Sequence, residues 1–130
     1  IIRRILRQFS AYLLDSGYEA ELIEAHHNQK KDVPSGTAQT LLSEIDPNGR
    51  FTRVIGRGAQ GARGRQEIGV HSLRGGTEAG RHEVIFFGQD EQIQIAHCAA
   101  SREIFARGAL LGAEKLVRQV KGFYTFDQLI

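Results

Sequence analysis

The sequence predicts an α+β domain in which helices gather on one face of a small sheet, mixed or mostly antiparallel. Three patterns predict it. The first residues repeat apolar side chains at helical spacing, three later segments alternate apolar and polar residues with a period of two, and a second helical stripe follows them. At 130 residues and 14.4 kDa the chain is the size of one domain, able to bury about two-thirds of the surface its unfolded form would expose.

Ile2, Ile5, Leu6, Phe9 and Leu13, with Arg3, Arg4, Arg7 and Gln8 between them, predict an amphipathic helix ending near Asp15-Ser16-Gly17, where Gly17 is the natural stop. Glu19 to His27 reads as a short strand. The polar stretch Asn28 to Ser35 contains Pro34 and leaves the sheet. Gly36 to Ile45 predicts a short helix with Ser35 as its cap and Pro47-Asn48-Gly49 as the turn that ends it. Ile68, Val70 and Ser72 define the first alternating segment and Val84 and Phe86 the second. In the third, Ile93, Ile95 and His97 stand opposite Gln92, Gln94 and Ala96, and Gly88 to Glu91 make a hairpin turn before it. Phe105, Ala109, Gly112, Leu116 and Val120, widened by Leu110 and Val117, predict a long helix from about Arg102 to Val120.

Composition removes several classes. A single cysteine, Cys98, permits no intramolecular disulfide and no multi-cysteine zinc site, which fits a reducing, cytoplasmic setting. No stretch approaches the roughly 20 apolar residues of a membrane span, and no export signal opens the chain. A net charge of +2 demands neither nucleic acid nor a membrane as partner. The chain lacks Met altogether, so it is expected to be a processed chain or a piece of a longer one.

The balance hides a local bias, since nine of the 15 glycines and seven of the arginines lie between Gly49 and Arg81. Within that stretch Gly56 to Gly61 matches G-x-G-x-x-G. Such glycines hold a pyrophosphate only between a strand and a helix, and here Ala62 to Gln66 carry no apolar helical stripe, so a turn-rich loop is expected instead. Arg53, Arg57, Arg63 and Arg65 among glycines give an RNA-binding alternative, weakened by the single nearby aromatic, Phe51. The loop's arginines are expected to serve a subunit surface or the mouth of an anion site.

The densest chemistry lies between Glu21 and Ala38. His26 and His27 at a strand end can hold or relay a proton near neutral pH, and Lys30 adds a cation or general acid. If a helix starts after Ser35, the backbone N–H groups and hydroxyls of Ser35-Gly36-Thr37 converge at its positive end, a place for a carboxylate or phosphate. No metal is expected, because His71, His82 and His97 fall on different predicted strands and no cysteine or carboxylate motif accompanies the histidine pair.

The run Glu24-Ala25-His26-His27-Asn28-Gln29-Lys30, followed by Asp32-Val33-Pro34-Ser35-Gly36-Thr37-Ala38, resembles the signature of the dihydrodipicolinate reductase family. Glu67 to His71, Arg74-Gly75-Gly76, Gly80 to His82, Ala100-Ser101-Arg102, Phe105 to Ala109 and Gly122 to Leu129 resemble further family segments, so the likeness covers nearly the whole chain. Lys31 and Val33 stand where Val and Ala are common. The resemblance implies reduction of a cyclic dicarboxylate with NADH or NADPH in lysine and diaminopimelate synthesis. In it His26 matches the proton donor and acceptor, Lys30 the proton donor, and His27, Gly36 and Thr37 the substrate-binding positions; by their own chemistry Lys30 and Ser35, at the helix N-terminus, are expected to bind the substrate carboxylates as well. Arg102 and Phe105 match positions near the nicotinamide. It further implies a homotetramer associating through its sheets, and a tail from residue 102 packed on a Rossmann domain that these 130 residues do not contain. A purely structural oligomerisation module is the remaining alternative.

Overall fold

The computed structural model describes residues 1–58 and 61–130 and divides into two compact units, Ile1–Cys98 and Ala99–Ile130. In the first, α1 (Ile2–Asp15) leads into β1 (Glu19–His26), then α2 (Gly36–Ile45), β2 (Thr52–Ile55), β3 (Glu67–Arg74), β4 (Arg81–Phe87) and β5 (Gln92–Cys98). Gly17 follows α1 with φ 90°, as the stop signal requires. The strands form one mixed sheet ordered β2-β3-β1-β4-β5, with β1 parallel to β3 and antiparallel to β4. The expected α+β class is what the chain forms, and within the first unit α1 and α2 lie on one face of the small mixed sheet.

Period-two alternation gives the sheet two faces of different character. Even-numbered Ala20, Leu22, Ile68, Val70, Val84 and Phe86 point to one face and pack against Leu6, Leu13 and Leu14 of α1 and Ala38, Leu41, Leu42 and Ile45 of α2. The buried stripe of α1 is rotated from the expected one. Ser10 lies inside while Phe9 stays about half exposed. Strand β1 ends at His26 rather than His27, and β2 was not expected, since its four residues are largely exposed and show no alternation. The hairpin turn closes as predicted, the Gly88 amide donating to the Glu91 carbonyl at 3.0 Å.

The opposite face carries charge. Glu21 crosses β3 at Gly69, where an added Cβ would lie 1.7 Å from its Oε2, so only glycine leaves room for it. It meets His71 at 2.8 Å, Arg63 at 3.2 Å and Arg57. Burial opposes the charged form of Glu21, but these donors outweigh it and hold the carboxyl below its ordinary range. Arg57 also pairs with Glu67 at 3.1 Å, and Arg63 with Glu19 at 3.3 Å. Two of the loop arginines, expected at a subunit surface or the mouth of an anion site, are therefore anchors paired with carboxylates on the sheet face away from α1 and α2, which leaves the RNA alternative without their charge. Of the G-x-G-x-x-G run, residues 59 and 60 lie outside the described residues; β2 precedes the run and the next element is β3, not a helix.

The second unit consists of α3 (Glu103–Leu116) and α4 (Phe126–Leu129), in contact where Phe126 closes over Gly112. The expected helix to Val120 stops at Leu116. Beyond it the amides of Arg118 and Gln119 reach back only three residues, to Lys115 and Leu116, and the β-branched Val117 and Val120 are exposed, without packing to offset their poor helix propensity. Among the described residues no helix is long and apolar enough to cross a membrane.

Candidate active site

The alternation that buries Ala20 and Leu22 also turns Glu24 and His26 toward the helices, at the end of β1. Glu24 is fully buried, and a carboxylate there requires partners. Arg74, at the end of parallel β3, donates through both terminal nitrogens, at 2.8 Å to Oε1 and 3.0 Å to Oε2, and His26 Nδ1 lies 2.5 Å from Oε2. Burial penalises the Glu24 charge, yet the hydrogen bonds from Arg74, then Ser72 and His26, more than compensate, and the carboxyl is held down at about 2.

Arg74 carries the geometry outward. Its Nε donates to the Lys30 carbonyl at 3.3 Å and a terminal nitrogen to the Asp32 carbonyl at 2.7 Å, so the loop after β1 is fastened to the buried carboxylate. The Gly75 and Asn28 amides, donating to the His26 and Gly76 carbonyls at 3.0 and 3.2 Å, continue the β1–β3 pairing into that loop. Lys30 Nζ meets Asp32 Oδ1 at 2.8 Å. This contact, with the Gly36 amide adding to it, lowers the Asp32 carboxyl below its usual range. The lysine and the first turn of α2 thus already attend one carboxylate.

Ser35 caps α2 as predicted, its hydroxyl accepting from the Ala38 amide at 3.1 Å. The same hydroxyl is paired with His82 Nε2 at 3.0 Å and is buried, whereas Gly36 and Thr37 are exposed. His82 stands edge-on to His26, with ring centroids 5.1 Å apart and planes at 74°. Burial, and then the neighbouring His26, push its imidazole down to about 4, so it is neutral at physiological pH.

Of the residues singled out in the sequence, His26, Lys30 and Ser35 are joined in one network through Glu24, Arg74 and His82. His27 adjoins them at the loop's start, its carbonyl accepting from the Lys30 amide at 3.1 Å. Arg102 and Phe105 belong to the other unit, Arg102 at the N-cap position of α3 and Phe105 exposed. Sequence reasoning gave Glu24, Arg74 and His82 no role. The available signal was register, since a Glu in step with Ala20 and Leu22 is core-facing and must find a cation. Nor did it foresee that the sheet brings His82 to His26. Glu24, His26 and His82 place ligand atoms within 4.8 Å of one another, but both Glu24 oxygens already face the permanent cation of Arg74, where a metal ion would be repelled.

Fold and cluster together define a class: an α+β domain in which one buried carboxylate–arginine pair joins a histidine, a lysine-bearing loop and, through a second histidine, the cap of a helix. All of residues 1–130 match the family described as "Dihydrodipicolinate reductase, C-terminus", and the chain belongs to that family. It is 45% identical over 132 residues to the 4-hydroxy-tetrahydrodipicolinate reductase of Clostridium novyi (strain NT), covering 100% of this chain and 52% of that protein. To the enzyme of the same name from Staphylococcus aureus (strain JH9) it is 50% identical over 119 residues, covering 90% of this chain and 49% of the relative. Among solved structures it resembles the dipicolinate-bound dihydrodipicolinate reductase of Paenisporosarcina sp. TG-14, with a TM-score of 0.61 and 27% identity over 89% of this chain and 46% of that one. The chain spans about half the length of these relatives.

The buried and part-buried titratable groups predict how stability depends on acid. His82 titrates at about 4 when folded against an ordinary 6.5, so between these values the unfolded chain binds more protons and stability falls as pH drops below 6.5. The loss amounts to at most about 3 kcal/mol. Glu24 and Glu44, the latter held at about 2 chiefly by Arg7, add a second loss as pH falls below the ordinary 4.5. Urea unfolding from pH 7 to pH 3 should show both limbs, and His82→Gln should flatten the one above pH 4.5. An unchanged upper limb in that variant would remove His82 as its source.

Proposed function

We propose that the chain is the substrate-binding and catalytic domain of an NAD(P)H-dependent 4-hydroxy-tetrahydrodipicolinate reductase, forming tetrahydrodipicolinate in lysine and diaminopimelate synthesis. Besides the family, the observation that carries this reading is the single network joining the proton-exchanging His26, the Lys30 loop and the cap of α2 through buried Glu24, Arg74 and His82. A cyclic dicarboxylate needs cationic and amide donors for its carboxylates. Lys30, His27 and the Ser35-Gly36-Thr37 turn supply them, and Asp32, held by Lys30 and the Gly36 amide, marks where one carboxylate would bind. Loss of the 4-hydroxyl as water leaves the unsaturated ring to which a bound nicotinamide would supply hydride. The proton that accompanies reduction comes from His26, with Lys30 as a second donor.

Arg102 and Phe105 are the residues of this chain that would approach the nicotinamide. The rest of the nucleotide needs a glycine-rich turn opening a helix, and the glycine run here leads into β3, so the main nucleotide site belongs to a separate Rossmann domain against which residues 102–130 would pack. NADH and NADPH both fit this chain's residues. We place the enzyme in the cytoplasm as a homotetramer, associating through the sheet face that neither α1 nor α2 covers, where Leu73 and Phe87 are exposed.

Calorimetric titration with pyridine-2,6-dicarboxylate tests the site. The chain should bind it, and Lys30→Ala, which removes a charge-assisted contact, should weaken binding about tenfold or more. Absence of binding at millimolar ligand would overturn the reading, and undiminished binding by the variant would remove Lys30 from it. Light scattering should give four times the 14.4 kDa chain mass, and a monomer would contradict the assembly.

A further inference from the structure

We propose that Glu24, fixed by Arg74, is a positioning residue that locks His26 with its proton on Nδ1, leaving Nε2 as the one ring atom that exchanges a proton with a ligand. The inference deepens the role given to His26 above and rests on that reading. An ionised carboxylate only accepts hydrogen bonds, so at 2.5 Å from Glu24 Oε2 the His26 Nδ1 must be the donor. Free imidazole prefers its proton on the other nitrogen; the buried carboxylate reverses that preference.

The ring cannot turn over to escape. A flip about χ2 would exchange Nδ1 for a carbon and deprive fully buried Glu24 of a donor. Arg74 prevents Glu24 from following the ring, because it grips both carboxylate oxygens while its remaining donors hold the Lys30 and Asp32 carbonyls. His82, edge-on at 5.1 Å, packs against the ring and is itself tied to Ser35. Beside Nε2 the wall is Gly80, where an added Cβ would come within 3.3 Å of that nitrogen, and whose φ of 149° disfavours a side chain. The fold thus fixes one nitrogen and clears space at the other.

Long-range proton–nitrogen NMR correlation of the histidine rings, at alkaline pH where imidazoles are neutral, tests this directly. In the unaltered chain His26 should show a protonated Nδ1 and an unprotonated Nε2. In Glu24→Gln, and in the double variant Glu24→Gln/Arg74→Gln that leaves no buried charge unpaired, the Nδ1-protonated form should fall to the minority; Glu24→Asp should restore part of it. A proton on Nε2 in the unaltered chain, or an unchanged pattern in the folded double variant, would overturn the proposal. Pyridine-2,6-dicarboxylate titrated into the unaltered chain separates the two claims. A locked tautomer without binding would contradict the substrate reading alone, and binding with the wrong tautomer would contradict the lock alone.

Discussion

The contact on which the site depends is the buried pairing of Glu24 with Arg74. A carboxylate taken out of water at the end of a central strand is tolerable only when its oxygens are satisfied, and removing one partner of such a pair typically costs about 3–5 kcal/mol. Here the guanidinium reaches from neighbouring β3, so the pair ties two parallel strands at the end where His26, His82 and the Lys30 loop gather. Arg74 has donors to spare, and it spends them on the backbone of the Lys30–Asp32 loop. One buried interaction therefore sets the His26 ring, the path of the loop and, through that loop, the approach to α2.

The sheet separates this chemistry from its other electrostatics. On the helix-covered face apolar residues give way to Glu24, His26 and His82 only at one end, where the neighbouring imidazole is kept uncharged by burial. On the other face Glu21 gathers Arg57, Arg63 and His71 over Gly69. The two clusters use the same residue types for different ends. One fixes the His26 ring beside the Lys30 loop, and the other pins a glycine- and arginine-rich loop across a sheet surface.

Much of this was legible in the sequence. Helical spacing located α1 and α2 nearly to the residue, because caps and stops sit at their ends: Ser35 before α2, Gly17 after α1. Period two located β3, β4 and β5. Short β2 was illegible because its side chains are mostly solvated and carry no alternation, and α3 ran too far because an apolar stripe reveals only that a face wants cover, not where the backbone stops. In the site, His26, Lys30 and Ser35 stood out by clustering along the chain. Arg74 and His82 lie 50 and 47 residues from the partners they serve, and only the strand order β3-β1-β4 brings them in. Glu24 was within the motif, yet its task is visible only once register turns it inward.

A double-mutant cycle on Glu24 and Arg74, followed by urea unfolding of the single variants Glu24→Gln and Arg74→Gln and of the pair, measures the central interaction most directly. If the pair is the constraint described, each single change leaves the other partner buried and unsatisfied, and the double variant should be more stable than the sum of the two losses by about 2–3 kcal/mol. Losses that add to within about 0.5 kcal/mol would contradict it.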